Sequence, residues 1–298
     1  MTGATSPPAR EGFVPVHGYR FYWRSVGDPG PAGTIVTLHG GPGGTHDYLS
    51  SFEDMAAHGY RVVFYDQLGC GRSEIAREEG EYSVERDVAD LDDFRRALGI
   101  DQMHLLGSSY GGLLAIAYAL EHPEPIRTLT IASGLASVPL TVREMARLCR
   151  ELPPPFPAYL DRHGSRGEFE HPEYLAAVDL FYRRHLCRLA PWPSDVTYTM
   201  LHGLSTKYRV MNGPNEFTIT GTIRDWDATE RLGEIRRPTL VTTGRYDEVS
   251  PAVAESIHRG IAGSELALFP QSSHTAFWEE RPRYMETLRA FLARYPIG

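Results

Sequence analysis

"LLGSSYGG", residues 105–112, decides how this chain folds. It sets two adjacent serines between glycines, directly after the hydrophobic run "QMHLLG" (102–107). An apolar helix-forming stretch, "SYGGLLAIAYALEH" (109–122), follows and stops before Pro123. Gly-x-Ser-x-Gly fits only with Ser109 in the centre, because Ser108 would need a glycine where Leu106 stands. Between a strand and a helix, this pattern reads as a nucleophile elbow. The serine sits on a tight turn at the strand's carboxyl end, and small flanking residues relieve the crowding. Its hydroxyl then faces the crevice above a sheet, near the positive end of the following helix. Ser108 fills space beside it.

Outward from the elbow, short β-like runs alternate with helical ones. "FVPV" (13–16) and "RFYWRSV" (20–26) form a hairpin around His17-Gly18-Tyr19, and "TIVTLH" (34–39) and "RVVFYD" (61–66) are buried strands. From Ser83, a predicted N-cap, the period changes: Val84, Val88, Leu91, Phe94 and Leu98 share one helical face. "RTLTIAS" (127–133) closes the series. This order predicts an α/β fold, a mostly parallel sheet flanked by helices on both faces.

Strands then cease. "LTVREMARLCREL", "PEYLAAVDLFYRRHLCRL" and "YTMLHGLSTKYRVM" read as helices separated by Pro and Gly, with a stiff Pro-rich turn at 151–157. Alternation resumes with "PTLVTTG" (238–244), the helix "AVAESIHRGI", "SELALFP" (264–270) and a last helix from about Pro282 to Tyr295. The expected organisation is a core of residues 1–138 and 226–298, with a helical lid, 139–225, inserted after the sixth strand.

A net charge of −8 with no basic cluster argues against a nucleic-acid partner. Three widely spaced cysteines, without CxxC spacing, argue against a disulfide framework or a zinc site. The stretch "MTGATSPPAREGF" lacks the apolar segment of a secretory signal, and no run of eighteen apolar residues occurs. The expectation is a soluble, cytoplasmic protein without a membrane partner; its oligomeric state is not legible.

A serine hydroxyl needs a base beside it, and the base an orienting carboxylate. On this fold they follow in the order acid, then histidine, on loops after late strands. "VTTGRYDEVSP" places Asp247 just past one such strand, and "LALFPQSSHTAFWEE" places His274 just past the next. Two backbone donors would hold a developing oxyanion: the N–H of Tyr110, and that of Gly41 in the loop His39-Gly40-Gly41-Pro42-Gly43-Gly44. Without side chains at 40 and 41, that backbone can approach a substrate closely. His39 is expected to brace this loop, and Asp66 and Arg72 to hold loops around the site. Cys70 is expected to be a small buried residue.

HGGPGG (39–44), DQLGCGRS (66–73), GSSYGG (107–112), NGPNEFTITGTIRDWD (212–227), GRYDEVSP (244–251) and SSHTAFWE (272–279) together resemble the proline iminopeptidase family of α/β-hydrolases. Within it they resemble the branch of tricorn-interacting aminopeptidases. The resemblance implies a serine aminopeptidase that removes an N-terminal proline or small apolar residue from short peptides through an acyl-enzyme, without metal or organic cofactor. It also implies that Glu216 and Glu248 hold the substrate's ammonium. Two carboxylates in a partly desolvated pocket favour a cation and reject a blocked terminus. Lid aromatics Tyr174, Phe181, Tyr182, Trp192 and Tyr208 are candidates either for a pocket lining or for the core of the lid. An amidase or esterase acting on amino-acid amides or a small metabolite is the alternative, and a non-catalytic ligand-binding protein of this fold a further one. Ser109 at the nucleophile position speaks against epoxide hydrolases and haloalkane dehalogenases, which carry aspartate there.

Overall fold

A computed structural model describes residues 8–203, 205–216 and 218–297. Leu204 and Phe217, within two of the stretches quoted above, lie outside the described residues, as do residues 1–7 of the leader reading. The chain runs β1 (Ala9–Val16), β2 (Tyr19–Val26), β3 (Thr34–Leu38), β4 (Arg61–Tyr65), α1 (Val84–Ala97), β5 (Met103–Ser108), α2 (Tyr110–Glu121) and β6 (Ile126–Ala132). Five helices follow: α3 (Val138–Arg150), α4 (Phe156–Gly164), α5 (Pro172–His185), α6 (Ser194–His202) and α7 (Thr206–Met211). The chain then completes β7 (Thr239–Gly244), α8 (Pro251–Gly260), β8 (Glu265–Phe269), α9 (Ala276–Glu279) and α10 (Arg281–Leu292).

The eight strands form one sheet in the order β1-β2-β4-β3-β5-β6-β7-β8. β1 and β2 pair antiparallel, as do β2 and β4, and every later pairing is parallel. Neighbouring residues in the central strands enter opposite cores. Val36, Val63, Leu105 and Val241 face the layer of α1, α2 and α8. Ile35, Val62, Leu106 and Leu240 face the layer of α9, α10 and the 3-10 helix His46–His58. Burial on both faces is why these strands read as continuous apolar runs. Ser83 caps α1 as expected, its side chain accepting from the Arg86 N–H.

Local differences from the sequence expectation have local causes. The stretch "YTMLHGLSTKYRVM" is two helices, α6 and α7, with Ser205 capping the second through the Tyr208 N–H. The 3-10 helix His46–His58 and α4 are additional to the expected elements; glycines and prolines around them read as turn signals. The expected last helix is α10, and a short additional helix, α9, precedes it. Tyr174 and Phe181 belong to a separate apolar cluster of α3, α4 and α5, with Tyr182 packed against it. Tyr174 and Phe181 are core rather than lining, while Tyr182 is partly exposed and lies near Glu216 and Glu248. No helix among the described residues is long and apolar enough to cross a membrane.

The β5–α2 junction leaves no room for side chains at its glycines. A Cβ on Gly107 would lie 2.0 Å from the Gly111 oxygen, and one on Gly111 would lie 2.1 Å from the Leu38 oxygen. Backbone packs against backbone here, so relaxation would have to move β3 or β5. Gly111→Ala is expected to lower stability by at least about 1–3 kcal/mol, read as a lower urea midpoint at unchanged m-value.

Candidate active site

Gly41, Ser109, Tyr110, Asp247, Glu248 and His274 stand at or just past the carboxyl ends of parallel strands, where open α/β sheets leave a crevice. Ser109 follows β5 with φ 58° and ψ −125°, a strained conformation for a residue with a side chain. It is held by its N–H donating to the Ala132 oxygen and its own carbonyl accepting from the Gly112 N–H. Ser108 and Tyr110 on either side are buried, while Ser109 reaches solvent.

The loop after β3 comes against it: a Cβ on Gly40 would lie 2.7 Å from the Ser109 Cβ. The Gly40 N–H is taken by the Tyr48 hydroxyl at 2.8 Å. Among the described residues the Gly41 N–H has no partner, and Gly41 is the partly open residue of an otherwise buried stretch. Gly41 has φ 123°, a conformation that glycine alone adopts at low cost. His39 braces the loop: its Nε2 accepts from the Gln67 N–H at 3.1 Å, which leaves Nδ1 to donate to the Gly40 oxygen at 2.9 Å. Burial pushes the His39 imidazole down to about 4, so it stays neutral. Asp66 accepts from the N–H and Nδ1 of His46 and from the Arg72 N–H. Burial would raise its carboxyl, but these donors hold it below the usual range. Arg72 is bidentate on Asp47. Both residues hold loops. Cys70 is buried, and burial pushes its thiol up to about 12.

Past β7 and β8, Asp247 Oδ1 lies 2.7 Å from His274 Nδ1. The same oxygen accepts from the Val249 N–H at 2.9 Å, and Oδ2 accepts from Thr243 Oγ1 at 3.3 Å. The two loops interlock so tightly that a Cβ on Gly244 would lie 2.1 Å from the Ser273 oxygen. The C-terminal end of α5 ties them together. Its last carbonyls have no intrahelical partner. The His185 oxygen accepts from the N–H groups of both Glu248 and His274, and the Leu186 oxygen from that of Thr275, each at 3.1 Å. Sequence reasoning misses this anchoring, because main-chain bonds carry no residue signature.

Glu248 is 4% exposed, and its Oε1 lies 3.8 Å from His274 Nε2. Its Oε2 is buried without a hydrogen-bond partner among the described residues. Glu216, on the turn after α7, accepts from the Tyr208 hydroxyl at 2.9 Å, so Tyr208 contributes a polar contact as well as apolar area. Burial raises both glutamates, Glu248 to about 8, and Glu216 adds its repulsion there. Burial alone would depress the His274 imidazole. The charge and hydrogen bond of Asp247, together with Glu248 and Glu216, outweigh it and carry the group up to about 9. One imidazole is thus ringed by three acids. Replacing Asp247 with Asn leaves the burial and removes the largest attraction. The His274 ring is expected to titrate well below its wild-type value in Asp247→Asn, measured by NMR; an unchanged value would mean that Asp247 does not govern it.

A family model described as alpha/beta hydrolase fold matches residues 33–281. A proline iminopeptidase of Saccharolobus solfataricus is 47% identical over 284 residues, covering 95% of this chain and 92% of that protein. Among solved structures, VinJ superposes with a TM-score of 0.91 at 36% identity, covering 97% of this chain and all of that one. A proline iminopeptidase of Mycobacterium smegmatis gives 0.90 at 32% identity over 96% of this chain and 98% of its own.

Proposed function

Because the chain belongs to the α/β-hydrolase fold family, and within it to the proline iminopeptidases, we propose that it is a serine aminopeptidase removing an N-terminal proline or small apolar residue from short peptides or amino-acid amides. The observation that carries the substrate class is the buried Glu248 carboxylate, with one oxygen unpartnered beside His274 and a second glutamate nearby. Burial holds the Glu248 carboxyl up at about 8, and an arriving cation favours its ionised form. A prolyl terminus is a secondary ammonium with two N–H groups, one for each of Glu216 and Glu248. An acetylated or internal residue offers no charge, leaving both acids unmatched.

In this reading Ser109 Oγ attacks the first carbonyl while His274 takes its proton, and Asp247 holds the imidazole in orientation. The oxyanion forms between the N–H groups of Gly41 and Tyr110. His274 returns the proton to the leaving amine, and the shortened peptide departs. Water, activated by the same imidazole, releases proline from Ser109. Every proton is accounted for by these residues, so the cycle calls for no metal or organic cofactor. An approaching ammonium also opposes the imidazolium, lowering the His274 pKa toward the value a general base needs. We assign residues 139–225 as a lid over the crevice, a reading supported by the α5 carbonyls bonded to the loops of Asp247 and His274 and by Glu216 lying beyond α7. The three free cysteines fit a cytoplasmic setting.

The test is a set of aminoacyl fluorogenic amides (Pro, Ala, Leu, Phe, Arg), each with a free and an acetylated terminus. Charge-assisted hydrogen bonds from two carboxylates predict a preference of roughly a hundredfold or more in kcat/KM for free termini. Glu216→Gln should forfeit roughly tenfold of it, and Ser109→Ala should abolish turnover. Equal turnover of acetylated substrates would remove the clamp and make the protein a general amidase or esterase.

A further inference from the structure

Lys207, on α7, is a fully buried cation, at 0% exposure on a helix expected to belong to the lid. Its ammonium donates to Asp87 Oδ1 at 2.6 Å and to Gln67 Oε1 at 3.0 Å. Burial alone would drive the amine toward neutrality; Asp87, with its neighbours Cys70 and Asp90, outweighs this and keeps it charged. Each partner leads to a different side of the crevice. Asp87 Oδ2 accepts from the Tyr110 hydroxyl at 2.6 Å, so one arm ends on the residue that follows Ser109. Gln67 donates its Nε2 to the His39 oxygen at 2.9 Å and its N–H to His39 Nε2 at 3.1 Å. His39 in turn bonds the Gly40 oxygen, so the second arm ends on the loop carrying Gly41.

We propose that Lys207 is a positioning residue: by gripping Asp87 and Gln67 together, it sets the spacing between the Tyr110 and Gly41 amides across which the oxyanion forms. This rests on the oxyanion roles proposed above. α7 itself presses on the same loop, since a Cβ on Gly43 would lie 2.9 Å from the Tyr208 nitrogen. The two amides belong to separate strand–loop connections, after β5 and after β3. Gly40 meets Ser109 at close range, and the β3–β5 ladder holds the strands together as far as Leu38 and Gly107. Beyond the ladder, the Lys207 arms restrain the loop residues themselves. Displacing a donor by a fraction of an ångström weakens the transition state more than the bound substrate. Glu216 is held by Tyr208 on the same helix but outside both arms, so the effect is expected to fall on kcat more than on KM.

Three variants test this on a free-terminus prolyl amide: Lys207→Met, the charge-neutral pair Lys207→Met with Asp87→Asn, and Tyr110→Phe, which cuts one arm and leaves the buried ion pair intact. The expected result is a kcat lowered roughly 10- to 100-fold in Lys207→Met, with KM within about threefold of wild type. In the double variant the melting temperature should recover while kcat stays low. Tyr110→Phe should lower kcat several-fold at constant KM. If Lys207 only balances charge, kcat recovers with the melting temperature in the double variant and Tyr110→Phe matches wild type; either result overturns the proposal. Should Lys207→Met fail to fold, the double variant and Tyr110→Phe decide the question by themselves. An inactive wild type would instead count against the aminopeptidase reading, which separates the two failures.

Discussion

The structure depends on one close approach: the backbone of α2's first turn lies directly against the ends of β5 and β3. Gly107 and Gly111 make that approach possible, since a methyl at either position would overlap a carbonyl oxygen. The approach forces Ser109 to φ 58° and turns it toward solvent while its neighbours stay buried. It also brings the Gly40–Gly41 backbone alongside. Conformational strain of this kind costs roughly 1–3 kcal/mol, and it persists because the apolar β5 and α2 on either side are almost wholly buried. The cores fix the junction, and the junction aims the serine.

Charge is the second organising force. Asp247, Glu248 and Glu216 surround His274, an arrangement that raises the imidazole and leaves a carboxylate oxygen without a partner. For folding alone this is a liability, because buried like charges repel and desolvation penalises each of them. It becomes coherent if the site is completed by a cation that arrives with the substrate. Away from the crevice, the buried acid Asp87 is matched directly by Lys207 and Tyr110. Asp87 is bonded at both oxygens, whereas Glu248 has one long contact with His274 and one oxygen without a partner; that contrast points to the ligand.

Much of this is legible in the sequence. The elbow is, because GSSYGG lies between a strand and a helix, and that context has one geometric solution. The sheet is, because strands buried on both faces read as apolar runs of limited length. Asp247 and His274 stand out from many acids and twelve histidines by their position just past late strands. Other features cannot be read. The 3-10 helix His46–His58 carries Pro and Gly signals before it that resemble a loop. The bonds from His185 and Leu186 to the loops of Asp247 and His274 are main-chain and leave no mark on residue type. Lys207 sits in "STKYRV", where any lysine reads as exposed; its burial is decided by Asp87, distant in sequence and on another helix.

In the proposed cycle Ser109 carries the acyl group between two half-reactions. Acid-quenching the protein during turnover of a proline ester, and mapping the modified peptide by mass spectrometry, tests this most directly. The expected result is a gain of one prolyl residue on the peptide containing Ser109, absent in Ser109→Ala. Turnover that survives in Ser109→Ala, or a prolyl group carried on a different residue, would contradict it.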